Sequence, residues 1–176
     1  MLELARYGKM LDSLRIGLGT DAHAFGTGSG PIWLGGVAVE YNRSLAGHSD
    51  ADVLVHALVD AMLGALNMGD IGEHFPSSDP QWKGVPSLDF LAWTRAQLEK
   101  REAKILSVDA VIMAQEPRMK PYIGSIRQRL SECLRIEASR ISVKSTTTDH
   151  LGFVGRKEGI AAQAVCLLAL PEAKKS

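Results

Sequence analysis

The last strand-like segment, Gly159 to Leu170 (GIAAQAVCLLAL), constrains the fold more than any other part of the chain. It is apolar on both alternating faces, with Gln163 as its one polar side chain. A strand with water on one face alternates apolar and polar residues; one that is apolar on both lies inside a sheet covered on both sides. This strand is therefore expected to be central in its sheet or buried at an interface between subunits.

The rest of the chain supplies elements to surround it. A short strand starts at Arg15, and a second is predicted from Pro31 to Glu40. The Gly-rich stretch Gly26 to Gly30 between them reads as a hairpin turn. A long apolar helix is predicted from Asp50 to Met68, capped by Ser49, with Asp52 three residues on to reciprocate. An irregular stretch, Gly69 to Val85, follows. Ser87 is expected to cap a second helix to Arg101, with Leu88, Leu91, Arg95 and Leu98 on one face. Then come a strand from Ile105 to Ala114, a helix from Pro121 to Leu134 with Ile123, Ile126, Leu130 and Cys133 as its stripe, and a strand from Ile141 to Ser145. This order predicts an α+β fold, an α/β sandwich in which a mixed sheet of about four strands packs on helices. One domain, residues 15–171, is expected, with tails at 1–14 and 172–176.

Composition narrows the function classes. The 176 residues are 45% apolar and 23% charged, an ordinary globular balance. Twenty basic side chains offset twenty acidic ones. That argues against wrapping nucleic acid or binding a membrane through a polybasic patch, since both need clustered positive charge. No apolar run reaches the length of a membrane span. The first fourteen residues include Glu3 and Asp12 and lack the apolar centre of a secretion signal. Cys133 and Cys166 have no metal-type spacing and read as reduced core residues of a cytoplasmic protein.

Five groups of residues carry chemistry. Asp21 and His23, two apart on a strand, project to one side. His48, Asp52, His56 and Asp60 recur every four residues, a polar stripe that advances about 40° per step beyond a full helical turn. An exposed face of i,i+4 pairs is the plain alternative, although the stripe holds no Lys, Arg or Glu. Asp21, His23 and His56 together form a carboxylate and two imidazoles, a set that suits zinc and leaves a fourth position for substrate. The loop Asp70 to Asp79 (DIGEHFPSSD) offers small polar donors on a backbone shaped by Gly72 and Pro76, or is simply a loop. Ser145 to Asp149 (STTTD) ends a β pattern with hydroxyls and N–H groups suited to phosphate and a carboxylate suited to Mg²⁺, or is a Thr-rich strand end. Gly152 to Gly159 (GFVGRKEG) combines tight turns with Arg156, which can fork onto a phosphate.

Taken together, the blocks RIGLGTDAHAF, LAGHSDADVLVHALVDAMLGA, GDIGEHFP, SDP, AQEPRMKP and KSTTTDHLGFVGRKEGIA resemble the 2-C-methyl-D-erythritol 2,4-cyclodiphosphate synthase family, from Arg15 to about Leu170. The resemblance implies a metal-dependent phosphorus–oxygen lyase of the non-mevalonate isoprenoid pathway. Its substrate would be 4-diphosphocytidyl-2-C-methyl-D-erythritol 2-phosphate, with release of CMP. It implies zinc on Asp21, His23 and His56, and a second divalent ion, Mg²⁺ or Mn²⁺, on Asp149. It gives His48 and Thr147 the task of holding phosphates in the transition state. Substrate contacts are implied for Asp21, His23, His48 and Ser49; for Asp70, Ile71, Gly72, Phe75, Pro76, Ser77, Ser78 and Asp79, which would enclose the erythritol; and for Thr146, Thr147, Thr148 and Asp149. A homotrimer around a central axis is implied, in which Ala114, Gln115, Glu116, Pro117, Arg118, Met119 and Lys120 form a cytidine pocket for the neighbouring chain. Arg156, with Phe153 and Glu158, would line one end of the axis, where relatives contact isoprenoid diphosphates. The chain departs from the family at Asp149, where Glu is common, and at Thr20 and Leu18, where some relatives carry Phe and His. A zinc phosphodiesterase, which would yield a linear phosphate, and a nucleotide- or metal-binding module without turnover are the competing readings.

Overall fold

The computed structural model of the chain describes residues 11–171; the tail expected at 1–14 falls mostly outside that range, and the one at 172–176 wholly so. A four-stranded mixed sheet is built from β1 (Leu14–Ala24), β4 (Lys104–Met113), β5 (Ile141–Thr146) and β6 (Gly159–Ala169), in the order β1-β6-β4-β5. The doubly apolar strand β6 is central: it pairs antiparallel with β1 on one side and with β4 on the other. β4 and β5 run parallel, from Val108 opposite Ile141 to Met113 opposite Thr146.

One helix organises the interior. Helix α1 (Val53–Ala65) is buried on nearly every face, from Val53, Leu54 and Val55 to Met62 and Leu63. It lies against β1 and β6 on one side and against α3 (Ser87–Lys100) on the other, with the short α2 (Ile71–His74) between them in sequence. Its approach to β1 depends on two glycines. A Cβ on Gly17 would stand 1.8 Å from the Ala61 carbonyl oxygen, and one on Gly19 2.0 Å from that of Ala57. Helix α4 (Ile123–Leu134) completes the layer with Ile126, Leu130 and Leu134 buried; the expected members Ile123 and Cys133 are half-buried at its margin.

Several sequence expectations are corrected. The predicted strand Pro31 to Glu40 is two strands, β2 (Ile32–Leu34) and β3 (Val37–Val39), folded on each other at Gly35 and Gly36. Both glycines have positive φ, which L side chains rarely adopt. The hairpin between the first two strands is absent: β1 pairs with β6, and β2 pairs with β3 in a separate two-stranded sheet. Helix α1 starts at Val53, and Asp52, not Ser49, caps it by accepting the Val55 N–H at 3.1 Å. Asp52 also accepts the N–H groups of Gly35 at 2.9 Å and Gly36 at 2.7 Å, tying the small hairpin to the helix start. Ser87 makes no cap; it is the first residue of α3, fully buried, and its hydroxyl is engaged elsewhere. The stripe does not form one exposed face: His48 precedes the helix, Asp52 and His56 are buried, and half-buried Asp60 accepts the Ile71 N–H at 2.7 Å.

The helices cover one face of the sheet. The side chains of β1 that face away from α1, Ile16 and Leu18, are 73% and 66% exposed, and Val165 of β6 is exposed beside them. Short helix α5 (Gly152–Gly155) adds exposed Leu151 and Phe153 at the same end as Thr20 and Ala22.

Candidate active site

Asp21 and His23 project from β1 toward α1, as their i,i+2 spacing predicts, and His56 meets them from the helix. Asp21 Oδ2 is 3.0 Å from His23 Nε2 and 2.9 Å from His56 Nδ1, and the two ring nitrogens are 3.3 Å apart. Among the described residues, these three form a group able to hold a metal ion. Three ligands at about 2.0–2.1 Å in a tetrahedral arrangement stand about 3.3 Å from one another, so the triad has nearly the dimensions zinc requires.

The donor chemistry fits as well. His23 Nδ1 lies 2.7 Å from the Ala46 carbonyl, which can only accept, so this nitrogen carries a proton and Nε2 is the nitrogen that faces Asp21, donating to the carboxylate when the ring is protonated and open to a metal when it is neutral. Burial works against ionisation of Asp21, but hydrogen bonds and charge from His23 and His56 outweigh it and hold the carboxyl well below its usual range. Burial likewise lowers the His23 pKa, and the Asp21 carboxylate more than reverses this, so the imidazole is pushed up. The pocket thus stabilises a positive charge at the centre of the triad, whether a proton or a cation.

A cavity of about 250 Å³ opens onto the triad. Its walls include His23, His48, Ser49, His56, Ile71, Gly72, Phe75 and Ser77, with Trp82 and Phe90 behind. His48 is exposed, and its backbone is pinned where its carbonyl accepts the Gly84 N–H at 2.7 Å. The loop 70–79 is locally capped: Asp70 accepts the Glu73 N–H at 3.0 Å, and Asp79 the Gln81 N–H at 3.0 Å. Phe75 anchors it, stacked on Phe90 at 4.4 Å between centroids and edge-on to Trp82 and Trp93. Pro76 is half-buried beside it, and Ser78 is exposed.

The remaining candidates gather elsewhere. Thr146 ends β5, and its carbonyl accepts the Ala114 N–H at 3.0 Å, which sets the segment 114–120 beside 146–149. Thr147 Oγ1 is 3.3 Å from Asp149 Oδ1, and the His150 N–H reaches Gln115 at 3.4 Å. Glu116 pairs with Lys157 at 2.6 Å; Ala114 and Met119 are buried, Pro117 is half-buried, and Arg118 and Lys120 are exposed. Thr148 is half-buried, its hydroxyl donating to the Leu151 carbonyl at 2.6 Å. Registers Ala22–Ala161, Ala161–Met113 and Met113–Thr146 place this group three strand spacings from the triad, about 14 Å away. Arg156 forks onto Glu158 at 2.9 and 3.0 Å, and Phe153 stands exposed nearby.

Sequence reasoning missed Ser87 and Asp50 as neighbours of the triad. His56 Nε2 is 2.8 Å from Ser87 Oγ and 3.1 Å from Ser49 Oγ. Ser87 is 31 residues from His56, and its position before a helical pattern reads as a cap.

Fold and site define a small α+β enzyme with an open two-histidine, one-carboxylate centre at the mouth of a loop-lined cavity. The sequence model of the YgbB family matches residues 14–169. The chain is 49% identical over 155 residues to the 2-C-methyl-D-erythritol 2,4-cyclodiphosphate synthase of Clostridium kluyveri, covering 88% of this chain and 94% of that one. It is 50% identical over 157 residues to the bifunctional enzyme IspD/IspF of Sphingopyxis alaskensis, covering 89% of this chain but 40% of that longer protein. The CDP complex of IspF from Plasmodium falciparum superposes with a TM-score of 0.79 at 35% identity, covering 90% of this chain and 97% of that one. The chain belongs to the YgbB family, that of the 2-C-methyl-D-erythritol 2,4-cyclodiphosphate synthases.

Proposed function

We propose that the chain converts 4-diphosphocytidyl-2-C-methyl-D-erythritol 2-phosphate into 2-C-methyl-D-erythritol 2,4-cyclodiphosphate and CMP, in a site completed by a second copy of itself. The observation that carries the two-copy site is the separation of its halves. The triad and the Thr146–Asp149 group lie about 14 Å apart on one sheet. One pair of adjacent phosphates cannot touch both. The uncovered apolar sheet face around Ile16, Leu18 and Val165 supports a homotrimer that would bring the triad of one copy to the Thr147 side of the next.

In the reaction an oxygen of the 2-phosphate attacks the β-phosphorus of the diphosphate. The new P–O bond closes the ring, and the bond from the β-phosphorus to the CMP phosphate oxygen breaks. A phosphate monoester is largely ionised at neutral pH, so no general base is needed. The chain's task is to fold the substrate and hold its charges in line. Zn²⁺ on Asp21, His23 and His56 would supply Lewis-acid polarisation of the β-phosphate, and Mg²⁺ or Mn²⁺ on Asp149 would neutralise the α- and β-phosphates. His48, at the cavity wall, and Thr147, on the second copy, hold phosphate oxygens through the transition state. Ser49, Asp70–Gly72 and Phe75–Asp79 enclose the erythritol and exclude water. The segment Ala114–Lys120, with Thr146 and Thr148, receives the cytidine, in keeping with the CDP bound by the Plasmodium falciparum relative. Phe153 and Arg156 lie at the end of the open face and would meet an isoprenoid diphosphate there. The single domain is assigned to residues 15–171. A cytoplasmic setting suits the two unpaired cysteines; among the described residues no helix is long and apolar enough to cross a membrane.

Phosphorus NMR of the purified chain with substrate, Zn²⁺ and Mg²⁺ tests the reading. A cyclic diphosphate appearing in step with CMP is expected. A linear phosphate would assign hydrolysis instead, and no turnover would leave a binding module.

A further inference from the structure

The second ring nitrogen of His56 does not face solvent. Its Nε2 lies 2.8 Å from the hydroxyl of Ser87, which is fully buried. That hydroxyl donates in turn to Oδ1 of the Asp50 carboxylate. Asp50 also accepts the backbone N–H of Ser87 at 3.0 Å and that of Asp52 at 3.3 Å. An ionised carboxylate has no proton to give, so every bond that reaches it is a donation toward it.

This fixes the direction of the chain of bonds. The single hydroxyl proton of Ser87 points at Asp50. Ser87 Oγ therefore meets His56 as an acceptor, and His56 Nε2 must carry its proton. In the neutral ring that a metal would require, the lone pair is then on Nδ1, 2.9 Å from Asp21 Oδ2 and 3.3 Å from His23 Nε2. A ligand histidine held this way is fixed in tautomer and orientation.

We infer that Asp50 and Ser87 are positioning residues that act through His56, setting how tightly the triad holds its metal. The inference rests on the metal reading of Asp21, His23 and His56. Among the described residues, the partner behind His23 is a backbone carbonyl, that of Ala46. His56 has a hydroxyl backed by a carboxylate, so His56 is the ligand whose ring the chain orients by side-chain choice. Asp50 is two residues beyond His48 in the same segment, and Ser87 opens α3. The relay thus couples the His48–Ser49 loop to the metal ligand.

The test is a competition titration of Zn²⁺ against a chromophoric chelator on the full metal-free chain, for the parent, Ser87→Ala, Asp50→Asn and the double variant. Each single variant is expected to lose about 10- to 100-fold in zinc affinity. The double variant should lose no more than the larger single, because both act through one hydrogen bond. With Co²⁺ in place of zinc, the visible absorption bands should shift in all three, since the His56 ring is no longer held. Asp50→Asn keeps the side chain's size and reports independently if Ser87→Ala fails to fold. Variants that keep zinc within about threefold of the parent, with unchanged cobalt bands, overturn the inference even if their melting temperatures fall. Ser49→Ala, whose hydroxyl is 3.1 Å from the same nitrogen, is titrated alongside, and a loss confined to it overturns the inference by assigning the acceptor there. A parent that takes up no zinc overturns the metal centre itself and the relay with it.

Discussion

Gly19 presses on Ala57 so closely that a Cβ on the glycine would lie 2.0 Å from the Ala57 carbonyl oxygen. Two residues further along β1 comes Asp21, and one residue before Ala57 in α1 comes His56. The glycine contact therefore sets the distance across which β1 and α1 bring Asp21 and His56 together, 2.9 Å apart.

Gly19→Ala is expected to push α1 off β1, because the obstacle is backbone and cannot rotate away. Overpacking of this kind costs about 3 kcal/mol or more. The melting temperature should fall, and zinc affinity should fall with it as the ligand atoms spread. Calorimetry and the chelator titration together check this; a variant with both properties intact would show that β1 and α1 are not locked at this point.

Asp60 gives a prediction with a definite sign. Burial, helped by the charges of Asp70 and Asp21, raises its carboxyl above the ordinary 3.8 despite the hydrogen bond from Ile71. Between the ordinary and raised values the folded chain binds more protons than the unfolded one. Stability should therefore decline as pH rises from about 3.8 through the raised value, then level off. Asp60→Asn still accepts the Ile71 N–H and should remove that decline. Urea midpoints for parent and variant from acid pH to neutrality measure the difference; parallel curves would contradict it.

Cys166 should behave as packing, not as a reagent. Burial pushes its thiol up to about 11, against a weaker pull from the Gly17 backbone, and burial raises Cys133 too. At pH 8 the Cys166 thiolate is then on the order of one part in a thousand. A disulfide reagent should modify the native protein slowly and both thiols rapidly after denaturation. Fast native labelling of Cys166 would mean that β6 is not held where the sheet places it.

Asp149 carries the departure from the family's usual Glu. Mg²⁺ keeps several waters and takes few protein ligands, so on the proposed reading a carboxylate one methylene shorter would still serve. Asp149→Asn should raise the Mg²⁺ needed for CMP release and lower turnover, with zinc content unchanged. Asp149→Glu should be active. A Mg²⁺ titration in which Asp149→Asn follows the parent would make Asp149 a plain strand-end carboxylate.

Much of this architecture is legible in the sequence, and what escapes has physical causes. The central place of β6 follows from apolar residues on both faces, and the triad from residue types whose spacing survives folding: i,i+2 on β1, and a helix that is otherwise apolar. The pairing of β1 escapes because Gly26 to Gly30 looks like a hairpin turn, whereas its actual partner, β6, lies at the far end of the chain, from Leu14 opposite Ala169 to Ala24 opposite Gly159. The stripe His48–Asp60 assumed one continuous helix. Asp52 ends that helix by capping it and by gathering the N–H groups of Gly35 and Gly36, contacts that no local pattern announces. Ser87 and Asp50 escaped for the same reason: the relay exists only once α3 is laid beside α1.

The most direct test of the central claim, a cyclising site shared between copies, is complementation. On the proposed reading, His56→Ala would break the metal half of a site, and Asp149→Asn would weaken the nucleotide half. Each is prepared alone, then the two are unfolded together, refolded as a one-to-one mixture, and assayed for CMP release. If each site joins the triad of one copy to the Asp149 side of the next, random assembly restores about a quarter of the sites. The mixture should then regain about a quarter of parental activity, well above the mean of the two variants assayed separately. Activity no higher than that mean would place both halves within one chain and contradict the account.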